Sequence, residues 1–107
     1  MFSGCKSLTS IDISDWDFSN VKDINQMFYN CSNLVDLKLP DNLGSSGSMY
    51  SMFYGCKALS ANTDFSKINI SKTSDIRYFF QAALYNFDTL DLTSWDVSKQ
   101  KNFTGFI

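Results

Sequence analysis

Cysteine, the most nucleophilic residue type in this chain, recurs at one position of a repeated phrase. Cys5, Cys31 and Cys56 are separated by 26 and 25 residues. Thiolates bind zinc, but such sites usually contain Cys-x-x-Cys pairs or accompanying histidines, and this chain has neither. Stacked neighbours could come within disulfide reach, although side chains that point inward together would not face each other. We interpret the three as small buried hydrophobic residues and predict no metal site.

Aspartate is the other residue type that could bind a ligand. Asp12, Asp64 and Asp91 align on the outward side of a repeated strand, with Lys38 at that position of the second repeat. A calcium ladder is one hypothesis, but Ca²⁺ prefers about six to eight oxygens from a dense run of ligands, and this spacing is sparse. We favour the competing interpretation, in which carboxylates accept hydrogen bonds from backbone amides and close turns.

Serine is abundant, but no catalytic motif contains it. A Ser-His-Asp triad is excluded because the chain has no His, and no Gly-x-Ser-x-Gly elbow is present. The stretch GSSGS, residues 44–48, lacks the Lys of a phosphate-binding loop and is interpreted as a flexible turn. We predict that the protein is not an enzyme and has no cofactor. A hydrolase built on a carboxylate pair is the distant alternative.

Composition predicts one folded domain over residues 1–107. Hydrophobic residues make up 44% of the chain and aromatics 16%, including ten Phe, which is enough for a core. Nine Lys and Arg against eleven Asp give a net charge of −2, which argues against a nucleic-acid or anionic-membrane partner. No apolar run reaches the roughly 18 residues of a transmembrane helix, and no leader resembles a signal peptide.

Aromatic doublets divide the chain into the repeats that must position these residues. Their first residues are 26, 25, 27 and 27 positions apart. The doublets are Met1–Phe2, Met27–Phe28, Met52–Phe53, Phe79–Phe80 and Phe106–Ile107. Such periods are typical of solenoids, in which each repeat contacts only its neighbours. We predict four coils starting at residues 1, 27, 52 and 79, with a fifth begun, as a fragment of a longer array.

Each coil is predicted to contain one short strand. After the doublet the apolar residues follow the spacing L-x-x-L-x-L, whose last two positions alternate with polar ones as a half-buried strand requires. In the first coil they are Leu8, Ile11 and Ile13. The third coil breaks this spacing at SANTD, residues 60–64, which predicts a bulge or a small insertion.

The rest of each coil is predicted to return as a short helix or a helical turn. Apolar residues at spacings of 3, 3, 1 and 3 follow one helical face. Where the first coil meets the second they are Val21, Ile24, Met27, Phe28 and Cys31. The predicted fold class is therefore α/β, a leucine-rich-repeat solenoid in which short parallel strands alternate with short helical returns. Trp16, Trp95, Tyr29 and Tyr54 are interpreted as packing residues, the two tyrosines half exposed.

The repeated phrase resembles the BspA-like leucine-rich repeats of bacterial surface proteins, in the variant M-F-x-x-C-x-x-L-x-x-L-D-L-S-x-W-D-x-S-x-V. The first coil matches best, and the fourth keeps LDLTSWDVS at residues 90–98. The matching residues of the first coil are Met1, Phe2, Cys5, Leu8, Ile11, Asp12, Ile13, Ser14, Trp16, Asp17, Ser19 and Val21. The resemblance implies an extracellular, cell-surface-attached protein that adheres to host or neighbouring-cell molecules without catalysis.

The predicted ligand surface is the outward face of the stacked strands. A continuous face of this kind is a frequent binding surface in repeat proteins, and here it is polar and mildly acidic. Its candidate residues are Thr9, Ser10, Asp12, Asp36, Lys38, Asp88, Thr89 and Asp91. We predict an extracellular protein or glycan as partner. The alternative is a structural spacer within a larger envelope protein, and self-association through uncapped ends is a further prediction.

Overall fold

Regular secondary structure is sparse in the computed structural model, which describes residues 2–44 and 47–107. Strand β1 spans Ser10–Asp12, β2 Asp36–Lys38, β3 Leu43–Gly44 and β4 Ile68–Asn69, and one 3-10 helix spans Phe65–Lys67. β1 pairs in parallel with β2, and β3 with β4, as two separate two-stranded sheets. Met1 of the first doublet, and Ser45 and Ser46 of the predicted flexible turn, lie outside the described residues.

The predicted fold class is wrong. The described ranges contain no α-helix, and their strands form two separate pairs instead of one ladder through four coils. The fourth repeat, where Leu90 and Leu92 were expected in a strand, has no strand over residues 87–98. An α/β leucine-rich-repeat solenoid with helical returns therefore does not describe this protein. No helix within the described chain is long and apolar enough to span a membrane.

Tight turns, and not a helix, produce the spacing of three residues in the predicted helical segment. The Tyr29 amide donates to the Gln26 carbonyl at 3.1 Å, and the Cys31 amide donates to the Phe28 carbonyl at 3.1 Å. Gln26 and Asn30 have φ angles of 54° and 57°. Left-handed residues four positions apart exclude a right-handed helix. Turns that bring every third residue to one face imitate the helical pattern in the sequence.

Alternate amides of this segment donate to carbonyls of the next repeat, whereas others close their own turns. We call residues 24–31, 49–56 and 75–83, with 2–5 at the start, the return limb. The Phe28 amide donates to Met52 O at 2.9 Å, and the Phe53 amide donates to Phe79 O at 3.0 Å. The same pattern joins the first repeat to the second and residues 78–80 to 104–106. The return limb is therefore the part in which neighbouring repeats pair most continuously.

The aromatic doublets stack in one column inside the molecule. The ring centroids of Phe2 and Phe28 are 5.6 Å apart, those of Phe28 and Phe53 5.4 Å, and those of Phe53 and Phe80 5.8 Å. The rings in each pair are within 12° of parallel. Buried residues of the return limb and of the strands belong to a single hydrophobic cluster, so the core lies between them. Each buried Phe contributes about 1.5–3 kcal/mol through burial.

Two irregular stretches differ in how well the sequence described them. In the SANTD stretch the Thr63 amide donates to Ser60 O at 3.0 Å, which closes a turn before the 3-10 helix. GSSGS is not simply a flexible turn, because Gly44 lies in β3 and Ser48 pairs with Asp75 in a parallel bridge. A Cβ at Gly44 would lie 2.5 Å from the backbone carbonyl oxygen of the paired strand, so this approach requires glycine.

Candidate functional site

Five of the eight predicted ligand residues lie together on the first sheet. The register of β1 and β2 places Ser10 beside Asp36 and Asp12 beside Lys38. All four side chains are exposed. Thr9, also exposed, precedes β1, and its carbonyl accepts the Asp36 amide at 3.1 Å. This group, Thr9, Ser10, Asp12, Asp36 and Lys38, is called the strand face below.

The other three predicted residues form a separate group in the fourth repeat. Asp88, Thr89 and Asp91 are exposed and lie outside any strand. Thr89 and Asp91 line a cleft of about 270 Å³ with Asp64 and Ser66 of the third repeat. The third repeat therefore separates them from the strand face, because its turn and 3-10 helix interrupt the pairing of strands.

The aspartates at the ends of the strand segments close local turns. The Asp12 carboxylate accepts the Ser14 amide at 3.0 Å and its hydroxyl at 2.6 Å. Asp91 accepts the Thr93 amide at 3.0 Å and its hydroxyl at 2.7 Å. The hydrogen bond from the Ser14 hydroxyl, followed by that from its amide, lowers the pKa of Asp12. The Thr93 amide and hydroxyl lower the pKa of Asp91 in the same way. Both carboxylates are therefore held ionised and in fixed orientation.

The cysteines are free thiols that join neighbouring repeats. Cys31 Sγ donates to Phe2 O at 3.0 Å, and Cys56 Sγ donates to Phe28 O at 2.9 Å. Both side chains are fully buried, which confirms their interpretation as core residues, whereas Cys5 is only half-buried and packs against the core. Burial raises the pKa of Cys31, and raises that of Cys56 to about 12. Within the described residues no cluster of Cys, Asp, Glu or His could hold a metal ion.

The two tryptophans have different environments although they occupy equivalent positions. Trp95 is 8% exposed, and its Nε1 donates to Phe65 O of the preceding repeat at 3.0 Å. Trp16 is 47% exposed and contacts Phe2 with ring centroids 6.0 Å apart. The packing role predicted for this position is confirmed for Trp95.

Sequence reasoning missed residues that adjoin the strand face. Ser60, Asn62 and Thr63 of the SANTD turn line a cleft of about 160 Å³ together with Asp36 and Lys38. No spacing rule predicted this contact, because the turn breaks the repeat. The turn-closing acids, by contrast, carry a readable signal: the pattern Asp-x-Ser/Thr recurs through the chain.

Comparison with known proteins identifies a family. A family model described as a Mycoplasma protein of unknown function, DUF285, matches residues 1–61 and 42–107. No curated protein and no solved structure matches the chain. Because the two matches together span all 107 residues, the protein belongs to the DUF285 family.

Proposed function

We propose that the protein is a non-catalytic binding module whose strand face contacts an extracellular protein or glycan. The observation that carries this proposal is the register of β1 and β2, which holds the exposed pairs Ser10/Asp36 and Asp12/Lys38 side by side. A row of polar side chains on a backbone held by strand pairing is suited to recognition because little ordering of the backbone is needed on binding. Attachment to the cell surface is part of the proposal and is supported by the resemblance to BspA-like repeats.

The chemistry of the strand face favours ligands that donate hydrogen bonds. Asp12 and Asp36 present carboxylate oxygens, and Ser10 and Thr9 present hydroxyls. The turn that lowers the pKa of Asp12 also holds this carboxylate in a fixed orientation through the Ser14 amide and hydroxyl. Sugar hydroxyls, or the amides and cationic side chains of a protein, can pair with these groups.

The test is a binding screen on the purified protein against matrix proteins and a glycan array. We expect saturable binding that weakens about tenfold or more in Asp36→Ala and Lys38→Ala. Neither side chain closes a local turn as Asp12 does, so these substitutions change the surface and leave the turns intact. Lys57→Ala, an exposed lysine outside the strand face, is the matched control and is expected to bind normally. Absence of saturable binding across the panel would contradict the proposal and favour a structural spacer.

A further inference from the structure

A second surface lies on the return limb, on the other side of the core from the strand face. It is formed by four of the protein's five tyrosines and its single arginine. These residues are Tyr29, Tyr50, Tyr54, Arg77 and Tyr78, and each is half-buried. We call them the tyrosine face. Tyr and Arg are the residue types most enriched at the energetic centres of protein interfaces.

The side chains of this face support one another. Tyr29 and Tyr54 stack with ring centroids 5.0 Å apart and planes within 13°, and Tyr78 meets Tyr50 edge-on at 5.5 Å. The Arg77 guanidinium lies 5.4 Å from the Tyr50 ring centroid. These contacts run between the second and third repeats, so both groups are built by the stacking of repeats, and Tyr50 and Tyr54 belong to the same limb four residues apart.

Arg77 is fixed in place but still open to a ligand. Its Nη2 donates to Asp75 Oδ2 at 2.8 Å, and its Nε donates to Asp75 Oδ1 at 3.1 Å. The Arg77 side chain nevertheless remains 42% exposed. A guanidinium held by a carboxylate on one side and a ring on the other loses little conformational freedom when it binds a further anion.

The backbone beneath the tyrosine face is paired throughout. Tyr50 O accepts the Gln26 amide at 2.8 Å, and the Tyr78 amide donates to Thr104 O at 3.0 Å. The Ser51 amide donates to Arg77 O at 2.9 Å. This ladder fixes the spacing of the tyrosines, and a preorganised aromatic surface needs little ordering on binding.

Charge is divided unequally along the chain. The segments that contain the strands and the turns after them, residues 9–19, 35–44, 60–71 and 88–98, contain nine Asp and two Lys, a net charge of −7. The remaining segments contain two Asp, six Lys and one Arg, a net charge of +5. The near-neutral total of −2 therefore conceals segments of opposite charge, and the tyrosine face lies in the positive ones.

A basic cleft adjoins the tyrosine face at Arg77. It has a volume of about 310 Å³ and is lined by three cations and one carboxylate. Its lining residues are Ser74, Asp75, Arg77, Lys99, Gln100, Lys101 and Asn102. Because Asp75 is already paired with Arg77, Lys99 and Lys101 leave an excess of positive charge beside the tyrosines.

We propose that the tyrosine face and the basic cleft together bind an acidic segment of a partner protein. An anionic glycan shares the charge but fits the aromatic geometry less well. Sugars stack on open ring faces, whereas Tyr29 and Tyr54 cover each other and Arg77 covers Tyr50. The exposed part of the Arg77 guanidinium and the lysines of the basic cleft suit the carboxylates of a polypeptide, with half-buried tyrosines beside them.

The test measures binding of a poly-glutamate peptide to the intact protein by fluorescence anisotropy. We expect saturable binding that weakens about tenfold between low and high salt. The double variant Lys99→Ala/Lys101→Ala changes exposed side chains only, and is expected to weaken binding about tenfold. Arg77→Ala and Tyr50→Ala are expected to do the same, with circular dichroism as the check that they fold.

Controls separate this surface from the strand face and from other ligand classes. Tyr85→Ala removes the fifth tyrosine, which is 68% exposed and outside the face, and is expected to bind like the parent. Asp36→Ala tests the strand face and is also expected to leave poly-glutamate binding unchanged. Tighter binding of heparin than of poly-glutamate, with the same sensitivity to the variants, would overturn the proposal in favour of an anionic glycan. No saturable poly-glutamate binding would overturn it outright.

Discussion

Replacement of Gly55 by alanine tests the left-handed turns that replace the predicted helix. Gly55 has φ +76° and is buried, and a Cβ there would collide with the Asn30 carboxamide oxygen and lie 3.4 Å from Asn30 Cα. Gly4 occupies the equivalent position of the first repeat with φ +72°, but a Cβ there meets nothing within 4 Å. Alanine would therefore meet similar backbone strain at both positions, but a steric clash only at position 55.

The two contributions can be worked out separately. A left-handed conformation costs an L-residue about 1–2 kcal/mol, while Ala in place of Gly recovers about 0.4–1 kcal/mol by restricting the unfolded chain. Gly4→Ala should therefore lose about 0–1.6 kcal/mol. Overpacking against Asn30 adds about 1–3 kcal/mol in Gly55→Ala, for a total loss of about 1–4.6 kcal/mol.

The assay is urea unfolding followed by far-UV circular dichroism. We expect the order of stability to be parent, Gly4→Ala, then Gly55→Ala, with unchanged denaturant slopes. Asn30→Gly removes the colliding carboxamide and tolerates its own positive φ of 57°, so adding it to Gly55→Ala should restore about 1–2 kcal/mol. If Gly55→Ala loses no more than Gly4→Ala, or Asn30→Gly gives no rescue, the described contact between these repeats is wrong.

Three further predictions follow from the buried thiols, the buried indole and the turn-closing acids. Burial raises the pKa of Cys56 from 9.0 to about 12, so the protonated thiol contributes fully to the free energy of unfolding below pH 9, and this contribution declines as pH rises toward 12. Urea midpoints of the parent and of Cys56→Ala across this pH range measure the decline. Trp95→Phe removes one of two hydrogen bonds to the Phe65 carbonyl, which keeps the Ile68 amide as a donor, and should lose about 0.5–1.5 kcal/mol in urea unfolding, whereas Trp16→Phe, at an exposed site, should lose under about 0.5 kcal/mol. The amide and hydroxyl of Thr93 lower the pKa of Asp91 from 3.8, so the ionised carboxylate stabilises the folded protein above pH 3.8 and loses this effect as pH falls further. Asp91→Asn should therefore make the thermal midpoint less sensitive to acid. An unchanged pH profile of the midpoint would contradict the turn-closing role of Asp91.

The sequence described side-chain position better than backbone conformation. Phe28 and Cys31 were expected inside because they recur with the repeat, and both are fully buried. Their spacing of three residues was interpreted as helical, yet the backbone turns through left-handed Gln26 and Asn30. A helix and a series of turns both bring every third residue to one face, so the apolar pattern alone could not separate them.

The candidate surfaces were predictable to different extents. Alternation along β1 and β2 was enough to place Asp12 and Lys38 outward. The SANTD stretch showed in the sequence that the third repeat is irregular. The sequence did not show that this irregularity separates Asp91 from the strand face, because the separation depends on how the turn packs. The tyrosine face was underestimated because Tyr29 and Tyr54 were considered singly, whereas their geometry arises from contact between repeats.

The sequence by itself indicated which apolar positions of a repeat enter the core, because the period of 25 to 27 residues and the hydrophobicity of each position do not depend on the path of the backbone. Only the tertiary structure decided how the backbone connects them. Alternate amides of the return limb donate to the next repeat while others close their own turns, and the bonds between repeats depend on a neighbour about 26 residues away. Contact between repeats also decided that Trp95 is buried while Trp16, at the equivalent position, is exposed.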